Sequence, residues 1–168
     1  MRILGIDPGS ANTGWGIIEE KSGTLKLLDC GVIRPKNKGK DNFAERISFI
    51  YKTLLEIIAY YKPDEAGIEQ VFTAKNALTA LKLGQARGVA VAACANFDIP
   101  VFDYAPTSVK KALVGVGRAD KEQVAFMIGK ILSVNVKQFR LDTTDALAIA
   151  ICHSSMRKFY ARYAVTQK

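Results

Sequence analysis

This 168-residue sequence predicts an α/β fold, with antiparallel and parallel strands in one sheet and helices packed against it. Three observations lead there. Short apolar runs separated by polar turns open the chain and read as an antiparallel meander. A helix-period segment, 42–61, then separates the apolar run at 3–6 from another at 65–71, the order of a right-handed crossover between parallel strands. Beyond it, helical segments alternate with one further strand.

Ile3, Leu4 and Ile6 read as a strand buried on both faces and stopped by Pro8-Gly9. Gly5 weakens that strand but lets another backbone or a ligand approach closely. Asp7 stands where the apolar run ends, at the mouth of a core. An ionised carboxylate there is costly unless it is paired, hydrogen-bonded or bound to a metal. A local alternative is that Asp7 only accepts hydrogen bonds from the turn that follows. Ala11 to Gly14 suit a tight connection, Trp15 to Ile18 a second strand, Lys21 to Gly23 a turn and Leu25 to Ile33 a third strand. Pro35 to Lys40 is a basic loop.

Phe43, Ile47, Ile50, Leu54, Ile57 and Ile58 recur at helical spacing over 42–61, and Lys62-Pro63-Asp64 ends that helix. The strand 65–71 then repeats the pattern of the first, because Ile68 leads directly into an acid, Glu69. A crossover sets parallel strand ends on one edge of the sheet, so Asp7 and Glu69 are predicted to meet. Ala77 to Phe97 reads as a helix rich in small residues. Gly84 and Gly88 each cost on the order of 1 kcal/mol in a helix, which points to close packing against the sheet or a partner subunit. Val101 to Tyr104 is a further strand, Pro106 opens a short helix, 115–120 is a flexible basic turn, and Asp120 caps a helix over 121–132.

The last element begins at Leu141. Asp142 and Asp145 are three apart and share a face at its start. Capping and the helix macrodipole would favour acids there in any case. Residues 156–168, with Arg157, Lys158 and Arg162, are expected to be a frayed basic tail on a single domain spanning 1–168. His153, lone and on an apolar helix, reads as structural.

A balance of 24 Lys and Arg against 16 Asp and Glu leaves a formal charge of +8, which points to a polyanionic partner. The first strand is too short for a signal peptide, and apolar stretches such as 88–94 fall below membrane-spanning length. A cytoplasmic protein with no membrane role is expected. Cys30, Cys94 and Cys152 lie far apart without C-x-x-C spacing, which indicates buried thiols rather than a zinc site or disulfides.

The four acids Asp7, Glu69, Asp142 and Asp145 suggest a reaction. Cleaving a phosphodiester with water requires help for the attacking water and for the leaving oxygen, and two divalent ions roughly 3.5 to 4 Å apart serve both. Hard ions such as Mg2+ prefer carboxylate oxygens. A basic body around an acidic hole suits a metal-dependent nuclease.

Gly5-Ile-Asp-Pro-Gly-Ser10, Ile68-Glu-Gln-Val-Phe72, Ala80-Leu-Lys-Leu-Gly-Gln-Ala-Arg-Gly88 and Asp142-Thr-Thr-Asp-Ala-Leu-Ala148 resemble the RuvC family of Holliday-junction resolvases, over nearly the whole chain. The resemblance implies a ribonuclease-H-like fold, a mixed five-stranded sheet with helices on both faces. It implies a homodimer that makes symmetric nicks in four-way DNA junctions, leaving 5′-phosphate and 3′-hydroxyl ends for recombination and repair. By the same resemblance Asp7, Glu69, Asp142 and Asp145 hold two Mg2+ ions, with Mn2+ a substitute, and Lys110 and Lys121 serve near the scissile phosphate. Phe72 matches an aromatic that stacks on an unpaired base, the helix 78–95 matches the pairing element, and a branch-migration motor is the expected partner complex.

Two rivals remain. The opening Gly-Ile-Asp-Pro-Gly-Ser also resembles the phosphate hairpin of actin-like ATPases and sugar kinases, which need two such domains where 168 residues supply one. A module that grips branched DNA without cutting it would satisfy the basic charge, though four acids weaken phosphate binding unless metal neutralises them.

Overall fold

The computed structural model describes residues 1–35, 42–70 and 76–166, with side chains as far as Arg157. Three antiparallel strands, β1 (Arg2–Asp7), β2 (Thr13–Lys21) and β3 (Thr24–Ile33), are followed by helix α1 (Phe43–Tyr61) and strand β4 (Glu65–Glu69). Helix α2 (Ala77–Ala95), strand β5 (Val101–Tyr104), helices α3 (Pro106–Val114) and α4 (Lys121–Leu132), a 3-10 turn (Val136–Gln138) and helix α5 (Leu141–Thr166) complete it. The sheet order is β3-β2-β1-β4-β5, with β1, β4 and β5 parallel and the meander antiparallel, as the sequence predicts.

Element ends follow local chemistry. Asn42 caps α1 by accepting from the Glu45 amide, and Lys62 closes it in the left-handed region at φ 48°. Asp120 and Gln123 form a reciprocal capping box that starts α4 at Lys121. Strand β2 begins two residues earlier than the apolar pattern indicates, because Gly14 pairs with Asp7 and belongs to the ladder rather than to the connection.

Successive residues of a strand face opposite sides of the sheet, so two cores form. Leu4, Ile6, Ile17 and Ile68 pack with Ile50, Leu54 and Ile58 of α1 and with Ala90 and Ala93 of α2. Ile3 and Ile18 pack on the other face with Leu113, Ile128, Leu147 and Ile149 of α3, α4 and α5. The same alternation puts Gly5 and Asp7 of β1, and Glu65, Gly67 and Glu69 of β4, on the α5 side.

Helix α5 lies directly on strand backbone. Gly16, Gly5 and Gly67 are side by side across β2, β1 and β4. A Cβ at Gly5 would stand 2.0 Å from the Ala146 carbonyl oxygen, and one at Gly14 would stand 2.0 Å from that of Asp142. The close approach expected at Gly5 is therefore that of a helix. Gly84 and Gly88 behave otherwise: a Cβ at either would meet nothing within 4 Å, so neither packs against the sheet. Cys94 and Cys152 are buried and Cys30 half-buried, all as free thiols. Among the described residues no helix is long and apolar enough to cross a membrane.

Candidate active site

The site is assembled where β1, β4 and α5 converge. Ile6 and Ile68 are register partners in the parallel pair, so the next residue on each strand, Asp7 and Glu69, ends its strand at the same level. Helix α5 runs back across this edge. Asp142 occupies its first turn, with its backbone against Gly14 of β2, and Asp145 follows one turn along. Asp142 sits inside the helix, which starts at Leu141, rather than serving as its cap.

The electrostatics record this convergence. Burial raises the Asp7 carboxyl from 3.8 to about 7, and the nearby Glu69, Asp145 and Asp142 push in the same direction, while Lys121 opposes them. Glu69 is raised too, first by burial and then by Asp145, again with Lys121 opposing. The Lys121 ammonium lies 3.4 Å from Asp145 Oδ2, placed there by the cap that starts α4. Lys110, from the second turn of α3, joins Lys121, Glu69 and Asp145 around a small cavity of about 50 Å³. Phe72 lies outside the described residues.

The donor set fits hard divalent cations: four carboxylates, all half-buried, with one lysine beside them in direct contact. Among the described residues no three acidic, imidazole or thiol groups crowd into a ready-made cage.

Behind the acids, α5 is tied to the sheet by a buried hydrogen-bond chain that no local sequence signal reveals. His153 is 1% exposed. Its Nδ1 is 2.7 Å from the Tyr104 hydroxyl and its Nε2 is 2.7 Å from Glu65 Oε2. The Arg157 Nε reaches the same carboxylate at 3.0 Å. Burial holds the imidazole below its ordinary 6.5, against the opposing pull of Glu65. The ring is thus fully engaged, in keeping with the structural role its sequence setting indicates. Gly14 is the other residue whose part was hidden. Alternate glycines at 14 and 16 within an apolar strand are the signal that a helix crosses there.

The family described as "Crossover junction endodeoxyribonuclease RuvC" matches residues 3–153. A protein of that name from Oleidesulfovibrio alaskensis is 59% identical over 158 residues, 94% of this chain and 93% of its own length. Another from Lawsonia intracellularis is 57% identical over 168 residues, 100% of this chain and 98% of its own. Among solved structures, Thermus thermophilus RuvC in complex with Holliday junction substrate superposes with a TM-score of 0.87 at 33% identity, covering 98% of this chain and 96% of that one. The yeast mitochondrial Holliday junction resolvase Ydc2, at 15% identity and a TM-score of 0.67, shares the fold. The ribonuclease-H-like sheet, the acids at its edge and these matches along almost the entire length converge: the chain belongs to the RuvC family of crossover junction endodeoxyribonucleases.

Proposed function

We propose that this chain resolves four-way DNA junctions by paired, symmetric, metal-dependent nicks that leave 5′-phosphate and 3′-hydroxyl ends. One observation carries the reading: Asp7, Glu69, Asp142 and Asp145 interact at one sheet edge, with Lys121 and Lys110 beside them.

In this reading the four carboxylates hold two Mg2+ ions, for which Mn2+ substitutes. Bound there, the ions supply charge neutralisation to the attacking water and the leaving oxygen. Lys121 and Lys110 add mobile positive charge where the phosphate gains negative charge in the transition state. Lys121 exchanges its contact with Asp145 for the incoming phosphate. Phe72 stacks on a base left unpaired at the crossover, a contribution of about 1 to 3 kcal/mol. The basic body concentrates DNA around the acidic edge.

Two active sites require two copies. Helix α2 exposes Leu78 and Leu81 at 61% and 59%, and its Gly88, Val89 and Ala92 line an apolar groove with Phe43 and Ile47 of α1. These features support pairing of two chains through α2. We further read the chain as one domain, acting in the cytoplasm beside a branch-migration motor.

The test is a synthetic four-way junction labelled on each strand, incubated with Mg2+ or with chelator, and its products treated with ligase. Paired, ligatable nicks that disappear with chelator or in Asp7→Asn are expected. Junctions retained but uncut in Mg2+ favour a binding module, and cutting by Asp7→Asn at the parent rate refutes the assignment.

A further inference from the structure

Acids at a phosphate site repel DNA, so the flanks of the acidic edge decide how a duplex is held across it. Lys110 and Lys121 occupy the flank next to β4 and β5, beside Glu69 and Asp145. The opposite flank is the segment entering α5. The Asp142 backbone rests on Gly14 of β2, so Arg140 and Leu141, which immediately precede it, emerge at the β2 end of the row of acids.

This segment is held rigidly and turned outward. Asn135 Oδ1 accepts from the Lys137 amide at 3.2 Å, and the Phe139 amide donates to the Val136 carbonyl at 2.9 Å. Val136 and Phe139 pack against the core. Thr144 donates to the Arg140 carbonyl through both its amide, at 3.0 Å, and its hydroxyl, at 3.1 Å. With the backbone fixed, Lys137, Gln138, Arg140 and Leu141 all project into solvent. Neither Lys137 nor Arg140 forms an ion pair among the described residues. Leu141 is 62% exposed although it adjoins two of the acids. Two unneutralised cations and a bare aliphatic side chain on a rigid ridge match the surface of a nucleic-acid backbone, with phosphates for the cations and sugar edges for the leucine.

We propose that Lys137, Arg140 and Leu141 form a second DNA-contacting ridge, which holds the junction arm on the β2 side of the scissile phosphate while Lys110 and Lys121 hold the other. This rests on the junction-cutting reading above. It adds a residue set that places the duplex across the acids from both sides.

The experiment is fluorescence anisotropy of a labelled synthetic four-way junction, and of a linear duplex, in chelator across a series of salt concentrations. Lys137→Ala and Arg140→Ala should each reduce the slope of log affinity against log salt by about 0.9, the release of one counterion. The double variant should bind roughly sixtyfold more weakly near 0.1 M salt, with its affinity meeting that of the parent near 1 M. Arg140→Lys keeps the charge and should keep the slope. Leu141→Ala should weaken binding several-fold with the slope unchanged, since it removes no charge. Lys26→Ala, at the far end of the sheet where Lys26 pairs with Glu19, controls for net charge and should alter neither. A parent slope in the double variant, or equal losses in Lys26→Ala, overturns the ridge, and unchanged affinity in Leu141→Ala removes the apolar contact from it. If the parent fails to nick junctions in Mg2+, the proposed function fails instead, and the slopes on linear duplex still decide the ridge.

Discussion

Asp7 carries a conflict that defines the site. Its carboxyl is buried beside three other acids, so ionisation is opposed in the folded chain and unopposed in the unfolded one. With a folded value near 7 against 3.8, the native state binds the extra proton between those values, and stability without metal falls as pH rises from about 4 to 7. Asp7→Asn should therefore abolish cleavage yet stabilise the metal-free protein at pH 8. At about 1.4 kcal/mol per pH unit the displacement bounds the gain near 4 kcal/mol, and structural relaxation reduces the expectation to roughly 2 kcal/mol. Chemical denaturation in chelator at pH 5 and pH 8 measures it, and a variant less stable than the parent at pH 8 contradicts the electrostatic account. His153 acts with the opposite sign. Its folded value lies below 6.5, so its contribution is complete above that value and is lost as pH falls through it. In Asp7→Asn the slope near pH 6 should therefore be less negative than in the parent, with Glu69, also raised by burial, still opposing His153. His153→Ala removes one hydrogen bond from the Tyr104 hydroxyl and one from the Glu65 carboxylate, which keeps Arg157, and leaves a cavity where the buried ring stood. It should destabilise by about 2 to 4 kcal/mol, read by the same denaturation experiment.

Among the elements, α5 governs the site because it delivers two acids while lying against bare strand backbone. A methyl group at Gly14 would collide with the Asp142 carbonyl, so Gly14→Ala must lift the start of α5. The expected result is a loss of roughly 3 kcal/mol and of most cleavage activity, with more metal needed for half-maximal binding. Gly84→Ala provides the contrast, since nothing lies within 4 Å of its position. It should raise α2 stability by up to about 1 kcal/mol in the isolated protomer. If α2 pairs two copies, the same methyl group should weaken the dimer in sedimentation equilibrium, whereas unchanged association would place the interface elsewhere. Helical spacing and strand patterning made α1, α4, β1 and β5 legible to within a residue or two. The 3-10 turn before α5 was not legible, because three residues carry no period.

At the scale of the whole molecule, a chain of net charge +8 brings four of its sixteen acids to one edge. Divalent ions held there, as proposed, would couple to folding, because anything that binds only the native site stabilises it by mass action. Millimolar Mg2+ should raise the melting temperature of the parent by several degrees at pH 8 and have little effect on Asp7→Asn. Equal shifts in both proteins would mean that the ions bind elsewhere. Sodium chloride should weaken junction binding steeply throughout, as phosphate contacts demand.

The sequence by itself determined that acids end two parallel strands, that a second pair opens the last helix, and that the strands belong to one mixed sheet. Each follows from period, register and the rule that parallel strand ends share an edge. Only the tertiary structure decided how α5 lies against the sheet, which acid faces which lysine, and that Glu65, His153 and Tyr104 form one buried chain. Those relations join residues 49 and 88 positions apart, through side-chain directions that local pattern does not encode. The strand glycines hint at the helix crossing, but its height and direction are set by packing, where the close contact of Ala146 with Gly5 permits one arrangement.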